Sequence, residues 1–298
     1  MESTMDEKTK KNIIACKKAI SLARQIQEHL NKDILKEGQP MIIMNQYEWL
    51  REVLSLLSKQ SNLFESCILL LENNMEQEAY ILARSQFNNM LWISYLCKDN
   101  KNDRVKEYFY EEHIDRLQQL YNLKKYINNL PPDTMYLNEF PNLNQELINS
   151  KIDDIKTVLK SEGYVVDVPK QPLRNKRIID LTEWDSMLLG LYDTFYNEAS
   201  KYEHANISTT KSYRKSVVDD ISVDVAFIFD LSKSDIELWK SVFGNSLTIL
   251  FLSVNSILTR IQNKDKHLFD FEQFNEEDFS SIILNIKIVR DLLDTIDI

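Results

Sequence analysis

Glycine and proline are scarce in this sequence, with four glycines and six prolines in 298 residues. All-β proteins need many tight turns, for which these two residue types are the usual choice, so the scarcity disfavours a β-rich fold. Hydrophobic residues make up 43% and charged residues 28%. That balance is too apolar for a disordered chain and predicts long helices around a packed core.

Cysteine is also rare, and Cys16, Cys67 and Cys97 lie far apart. No Cys-x-x-Cys pair occurs, and no Glu-x-x-His spacing precedes His113 or His204, which argues against a metal site. Walker, Gly-x-Gly-x-x-Gly and His-Glu-x-x-His motifs are missing, as is a Gly-x-Ser-x-Gly elbow. These absences disfavour nucleotide-dependent motors, dehydrogenases, zinc proteases and serine hydrolases. We therefore expect neither a metal nor a cofactor.

Long uninterrupted apolar runs are missing too. The longest, such as LTILFLSV, fall short of the about twenty residues that a bilayer span needs. The first residues, MESTMDEKTKK, are polar and lack the apolar segment of a signal peptide. The formal net charge is −10, and an acidic chain repels nucleic acid at long range. We expect a cytoplasmic protein without a membrane partner.

The spacing of apolar residues predicts an all-α protein. Helices are expected over residues 6–36, 45–72, 75–98, 102–128, 144–161, 180–204, 234–262 and 276–296, with 211–230 helical or irregular. The helix over 75–98 carries apolar residues on every side, which places it at the centre of the fold. We predict a multi-helix bundle with a central apolar helix. Its core spans residues 1–210, and an appended C-terminal helical part, 211–298, packs on that core.

The central helix carries an unusual polar stripe. Gln77, Arg84, Asn88 and Tyr95 are separated by seven, four and seven residues, so they return to nearly one direction at about 100° per residue. A buried arginine is costly unless it is paired, and this stripe holds no carboxylate. We expect the charged partner of Arg84 to come from another helix. A second polar row consists of Glu78, Ser85 and Asn89.

A later stretch, YNEASKYEHA, supplies a matching face. Tyr192, Tyr196, Ser200 and His204 recur every four residues, and Glu203 shares their side. We expect the two helices to meet there, with Arg84 and Glu203 as opposite charges and Glu78 as a second acid. The candidate reactive groups are those of Arg84, His204, Ser200 and Tyr196. The candidate ligand-binding groups are those of Glu78, Asn88, Tyr192 and Glu203.

These two stretches together resemble the bacterial family of unknown function numbered 5677. That family shows a Glu-Ala…Arg-Ser helix and, later, a Tyr-x-x-x-Ser-x-x-x-His helix. The resemblance covers roughly residues 45–210 and implies a helical fold in a bacterial cytoplasm, with no established reaction. Asn88 stands where the family often has a glutamate, shortly after Arg-Ser. The matching residues are Glu78, Ala79, Arg84, Ser85, Tyr196, Ser200 and His204.

Two functions remain open. The first is an interaction or ligand-binding protein for an unknown protein or small ligand, with bacterial stress or phage defence as a hypothetical setting. The second is a metal-independent ribonuclease acting on RNA, in which an arginine stabilises phosphorane charge and a histidine moves the proton. Its pair would be Arg84 with His204, or one of two motifs in which four or six residues separate an arginine from a histidine, Arg24/His29 and Arg260/His267, which we call the Arg-x-His motifs. The apolar C-terminal helices suggest a homodimer interface.

Overall fold

The computed structural model describes residues 7–98, 103–130, 144–163, 175–181, 185–204, 213–216, 227–229, 235–270 and 274–296. It confirms the all-α bundle. The helices are α1 (Glu7–His29), α2 (Glu48–Glu72), α3 (Glu76–Cys97), α4 (Asp103–Asn128), α5 (Gln145–Ser161), α6 (Asn175–Leu181), α7 (Asp185–Leu191), α8 (Asn197–Glu203), α9 (Ile236–Lys264) and α10 (Glu276–Asp294). π-Helical turns, Leu30–Ile34 and Tyr192–Tyr196, follow α1 and join α7 to α8.

A short β-ladder stands within the stretch where we expected helix or irregular chain. Strands β1 (Arg214–Ser216) and β2 (Phe227–Phe229) pair antiparallel, with Lys215 opposite Ile228. Aromatic and β-branched residues, which favour extended chain, make up all of β2. The ladder is a small addition to a helical protein.

The chain forms two compact units. The first comprises Met1–Lys98 and Ile178–Ile298, and the second comprises Asp99–Arg177. These units divide the chain elsewhere than at residue 210, and the division at 210 stays a prediction.

In the first unit α3 packs against α2, α8 and α9, which confirms its central position. Its buried residues include Ala83, Tyr95 and Leu96, which lie about 100–140° apart around the helix and so point to different sides. The turn between α2 and α3 is tight because Asn74 adopts φ 55°, a left-handed conformation that asparagine tolerates better than most residues. Helices α2 and α3 therefore run as antiparallel neighbours.

Helix α9 is the second core helix of this unit. It packs against α2, α3 and α10, and Asp235 caps it by accepting hydrogen bonds from the backbone N–H groups of Glu237 and Leu238 at 3.1 and 3.0 Å. In the part of the chain that the structure describes, α9 is the one helix that is long and apolar enough to span a membrane. However, 67% of its most apolar stretch is buried in the protein. The search for uninterrupted apolar runs did not single out this helix, because uncharged polar residues, Ser246 and Asn255, bound the run over 247–254. A buried bundle helix has the same composition.

The second unit is built on α4 and α5, which pack against each other. Asn144 caps α5 by accepting a hydrogen bond from the N–H of Glu146 at 2.8 Å. Lys124 Nζ donates to Asn149 Oδ1 at 2.7 Å across the two helices. Apolar side chains at helical spacing form the core of this unit, namely Tyr110, Ile114, Leu117, Ile127, Ile148, Ile152, Ile155 and Leu159.

Candidate functional site

Arg84 joins the central helix to α8 in the way the sequence predicted. Its Nε donates to Ser200 Oγ at 2.9 Å, and Nη2 donates to the hydroxyl of Tyr196 at 2.9 Å. Its Nη1 forms an ion pair with Oε2 of Glu203. The expected meeting of the two helices, with Arg84 and Glu203 as opposite charges, is confirmed. We call Arg84, Tyr196, Ser200 and Glu203 the Arg84 cluster.

The backbone before α8 places Tyr196. The helix widens into a π-turn over Tyr192–Tyr196, a feature that often occurs at functional sites. The ring of Tyr196 stacks on Tyr192 with centroids 5.1 Å apart and contacts the ring of Phe87 at 5.3 Å. The carbon of the Arg84 guanidinium lies 4.6 Å from the Tyr196 centroid, within range of a cation–π interaction. The phenol is thus held from three directions.

The acid of the cluster lies nearer the surface than the arginine. The side chain of Arg84 is 16% exposed, and that of Glu203 is 39% exposed. Glu203 is the last residue of α8, where the partial negative charge of a helix end disfavours a carboxylate. The ion pair with Arg84 offsets this unfavourable interaction with the helix end. The position of the Glu203 carboxylate therefore depends on Arg84.

His204 lies beside the Arg84 cluster and is close to Glu203 rather than to Arg84. Its side chain is 71% exposed, and its Nε2 lies 3.6 Å from Oε2 of Glu203. That oxygen also contacts Arg84. One carboxylate oxygen of Glu203 therefore lies between the guanidinium and the imidazole.

Glu78 has a different partner from the one we expected. It accepts a hydrogen bond from the hydroxyl of Tyr213 at 2.9 Å. Burial, followed by this hydrogen bond and the charge of Glu78, raises the pKa of Tyr213 to about 12. The phenol therefore stays a neutral donor. Sequence reasoning missed Tyr213 because no periodic pattern links it to α3. Asn88, one turn beyond Arg84, is half-buried.

Aromatic residues pack beside the cluster. The ring of Tyr80 contacts Phe195 and Tyr202, with centroids 5.2 and 5.3 Å apart. Burial, and then the charge of Glu198, raises the pKa of Tyr80 to about 12, and burial likewise raises the pKa of Tyr202. These rings form an apolar support that keeps α8 on α3.

A second set of polar groups on α3 is fully buried and turns toward α2 and α9. Asn89 Nδ2 donates to the carbonyl of Leu56 at 2.7 Å and to Gln60 Oε1 at 2.9 Å. Ser246 Oγ donates to Gln86 Oε1 at 2.7 Å. The members of the second polar row therefore have partners in different parts of the fold. Glu78 is hydrogen-bonded to Tyr213, whereas Asn89 is hydrogen-bonded to α2.

The first Arg-x-His motif does not form a joint site. Arg24 forms an ion pair with Glu72, with Nε 3.3 Å from Oε1. His29 Nε2 lies 3.2 Å from Asp33. The two side chains therefore have separate acidic partners.

The second Arg-x-His motif is divided in the same way. Arg260 Nε donates to Asp265 Oδ2 at 3.0 Å, and its guanidinium carbon lies 4.9 Å from the centroid of Trp49. His267 Nε2 is hydrogen-bonded to the hydroxyl of Tyr47. Neither motif presents an arginine and a histidine to a common point.

Within the described ranges, no group of three or more histidine, cysteine, aspartate or glutamate side chains is arranged to hold a metal ion. The Arg84 cluster has one carboxylate and two hydroxyls around a cation. Its chemistry is hydrogen bonding and charge pairing with an anionic group.

The Arg84 cluster lies in a region that matches a known protein family. A model described as a family of unknown function (DUF5677) matches residues 52–220, a stretch that includes α3, α8 and the whole Arg84 cluster. No curated protein and no solved structure matches the chain.

Proposed function

The chain belongs to the family of unknown function DUF5677, and we propose that it is a helical ligand-binding protein whose Arg84 binds an anionic group of the ligand. Family membership assigns no reaction, so the proposal rests on the geometry of the Arg84 cluster. A bacterial cytoplasm, and a role in stress or phage defence, belong to the same proposal.

The observation that carries it is that all three nitrogens of the Arg84 guanidinium meet oxygen atoms, of which one belongs to a surface carboxylate. A guanidinium suits planar recognition of carboxylates and phosphates. Glu203 occupies the position that the anionic group of a ligand would take. The ligand would replace Glu203 and leave the contacts with Ser200 and Tyr196 intact.

The two hydroxyls of the cluster have different roles. Ser200 Oγ accepts from Arg84 and donates its own hydrogen to the carbonyl of Tyr196 at 2.8 Å. The Tyr196 oxygen also accepts from Arg84, and its hydrogen has no acceptor among the residues that the structure describes. Tyr196 can therefore donate to an incoming anion, whereas Ser200 only holds the arginine.

Displacing Glu203 from Arg84 should cost little free energy. Partly exposed ion pairs typically contribute about 0–1 kcal/mol, and Glu203 stands at the unfavourable end of α8. Once released, its carboxylate is hydrated. A dianionic phosphate would bring more charge to Arg84 than Glu203 does.

The test compares anion binding by the parent protein and by Glu203→Gln. Removing the internal carboxylate should raise the affinity for inorganic phosphate about fivefold to tenfold, equivalent to about 1 kcal/mol, measured by calorimetry or by phosphate-induced shifts in NMR spectra. Arg84→Lys should abolish the gain, because lysine lacks the fork of donors.

Glu198→Gln is the matched control. Glu198 forms an exposed pair with Lys201 on the same helix, and its removal changes the net charge equally. If Glu198→Gln and Glu203→Gln gain the same affinity, the effect is general electrostatics and the proposal fails.

A ribonuclease is the second candidate, because His204 lies 3.6 Å from the Glu203 oxygen that contacts Arg84. Arginine and histidine would supply charge stabilisation and proton transfer. The test is cleavage of RNA in the presence of EDTA, lost in both Arg84→Lys and His204→Ala. The ligand-binding proposal instead expects no cleavage and phosphate binding in His204→Ala equal to that of the parent.

A further inference from the structure

The first unit holds a cavity of about 820 Å³ whose lining does not include the Arg84 cluster. Residues of α1, the end of α2 and the start of α9 line it. We propose that this cavity binds a small amphipathic anion, a molecule with an apolar body and one carboxylate. The proposal is independent of the one for Arg84.

The inner wall of the cavity is apolar. Ile20, Leu71 and Trp239 line it and are buried. Trp239 Nε1 donates to the carbonyl of Leu71 at 3.3 Å, so the polar atom of the indole is satisfied and the ring presents an apolar surface. Such a wall suits a hydrocarbon body.

The polar side of the cavity carries more positive than negative charge. Lys17 and Arg24 line it together with one acid, Glu72. Glu72 engages Nε and Nη2 of Arg24, so Nη1 remains for another acceptor in the part of the chain that the structure describes. The charge of Glu65 also helps to raise the pKa of Arg24. Glu65 accepts a hydrogen bond from Gln27, however, and does not line the cavity. One carboxylate would balance the charges of the lining.

The size of the cavity favours a small molecule over a peptide or a protein segment. Ligand pockets typically measure roughly 300–1,000 Å³, with apolar walls and a few polar groups that orient the ligand. The cavity of about 820 Å³ is within that range. Apolar walls with cationic groups on one side define an amphipathic ligand.

Cys16 offers a reporter inside the cavity. It lines the wall and is half-buried, whereas Cys67 and Cys97 are buried completely or nearly so. Burial raises the pKa of the Cys16 thiol to about 11, so its alkylation is slow at neutral pH and is best followed at about pH 9, where more thiolate forms.

The experiment measures alkylation of Cys16 by iodoacetamide, using peptide mass spectrometry. The probe is dodecanoate below its micelle concentration, with dodecanol and dodecyltrimethylammonium as neutral and cationic comparisons. At about ten times its Kd, dodecanoate should slow alkylation about tenfold, because only unliganded protein reacts. Dodecanol and the cation should protect much less, and Arg24→Gln should weaken protection by dodecanoate.

Ile13 and Ile14 provide a matched pair of variants. Both are exposed, at 37% and 67%, and only Ile13 lines the cavity. Ile13→Glu should reduce protection by dodecanoate, while Ile14→Glu should retain it, with unchanged unfolding midpoints in both. Arg84→Ala should also retain protection, which separates this result from any failure at the Arg84 cluster.

Three results would overturn the proposal. The first is no protection by dodecanoate. The second is equal protection by dodecanol or by the cation, since the cavity would then not select an anion. The third is the same response from the two isoleucine variants, since protection would then come from outside the cavity.

Discussion

Helix α3 makes polar contacts in two directions, and the two sets differ in charge and in access to water. Toward α2 and α9 it uses neutral, buried groups, with Asn89 bonded to Gln60 and Gln86 bonded to Ser246. Toward α8 it uses Arg84, whose acidic partner is partly exposed. A buried neutral contact has no competing water, whereas a surface charge pair can exchange its partner. The first arrangement suits helix register and the second suits a ligand.

The buried set is also incompletely satisfied. Nε2 of Gln60, Nε2 of Gln86 and Oδ1 of Asn89 have no hydrogen-bond partner among the described residues. All three guanidinium nitrogens of Arg84, by contrast, have partners. Unpaired buried amide atoms cost free energy, so the buried contacts fix which faces pair more than they add stability.

The largest effect should come from Asn89→Ala. This change removes two hydrogen bonds. Gln60, which is 0% exposed, then loses the partner of its Oε1, while its Nε2 already has none among the described residues. We expect a loss of about 3 kcal/mol in the free energy of unfolding, measured by urea denaturation. Asn62→Ala, at an exposed position of α2, is the control and should change stability by less than about 0.5 kcal/mol. Similar losses in the two variants would contradict the contrast between buried and exposed positions.

A smaller loss is expected for Arg84→Ala. Glu203 and the hydroxyls of Tyr196 and Ser200 lie near the surface and can be hydrated after the change, so we expect about 1–2 kcal/mol. The same denaturation measurement applies. A loss as large as that of Asn89→Ala would mean that the cluster behaves as buried structure, and the ligand proposal would lose its basis.

The helical fold was predictable because apolar spacing marks helices directly. Predicted helix ends over 45–72, 75–98 and 276–296 lie within three residues of α2, α3 and α10. The contact between Arg84 and Glu203 was predictable as well, since a costly buried charge demands an acid and α8 presents one on its polar face. Periodicity thus identified two faces that match in chemistry.

Periodicity says which side of a helix a residue is on, but not which helix lies there. Asn89 follows Arg84 by five residues, about 140° further around the helix, and only the packing shows that this side meets α2. The π-turn at Tyr192–Tyr196 and the bond from Tyr213 to Glu78 have no periodic signal. The cavity was missed for a related reason, because three helices contribute its lining.

A double-mutant cycle on Gln86 and Ser246 sharpens the buried side of the comparison. Their hydrogen bond of 2.7 Å joins α3 to α9, and the single and double alanine variants should give a coupling energy of about 1 kcal/mol. A coupling energy near zero would mean that the hydrogen bond between these two side chains adds nothing to stability. It would then not contribute to the register between α3 and α9.

The smallest stability effect should come from His204→Ala. The imidazole is 71% exposed and lies 3.6 Å from Glu203, beyond hydrogen-bond distance, so the unfolding free energy should change by less than about 0.5 kcal/mol. Because the expected change in stability is so small, a loss of RNA cleavage in His204→Ala could not be attributed to unfolding. The variant therefore tests the role of the imidazole in cleavage directly. A destabilisation above about 1 kcal/mol would show that His204 helps to hold Glu203 on Arg84. The acid would then be a fixed part of the fold, and a ligand could not displace it cheaply.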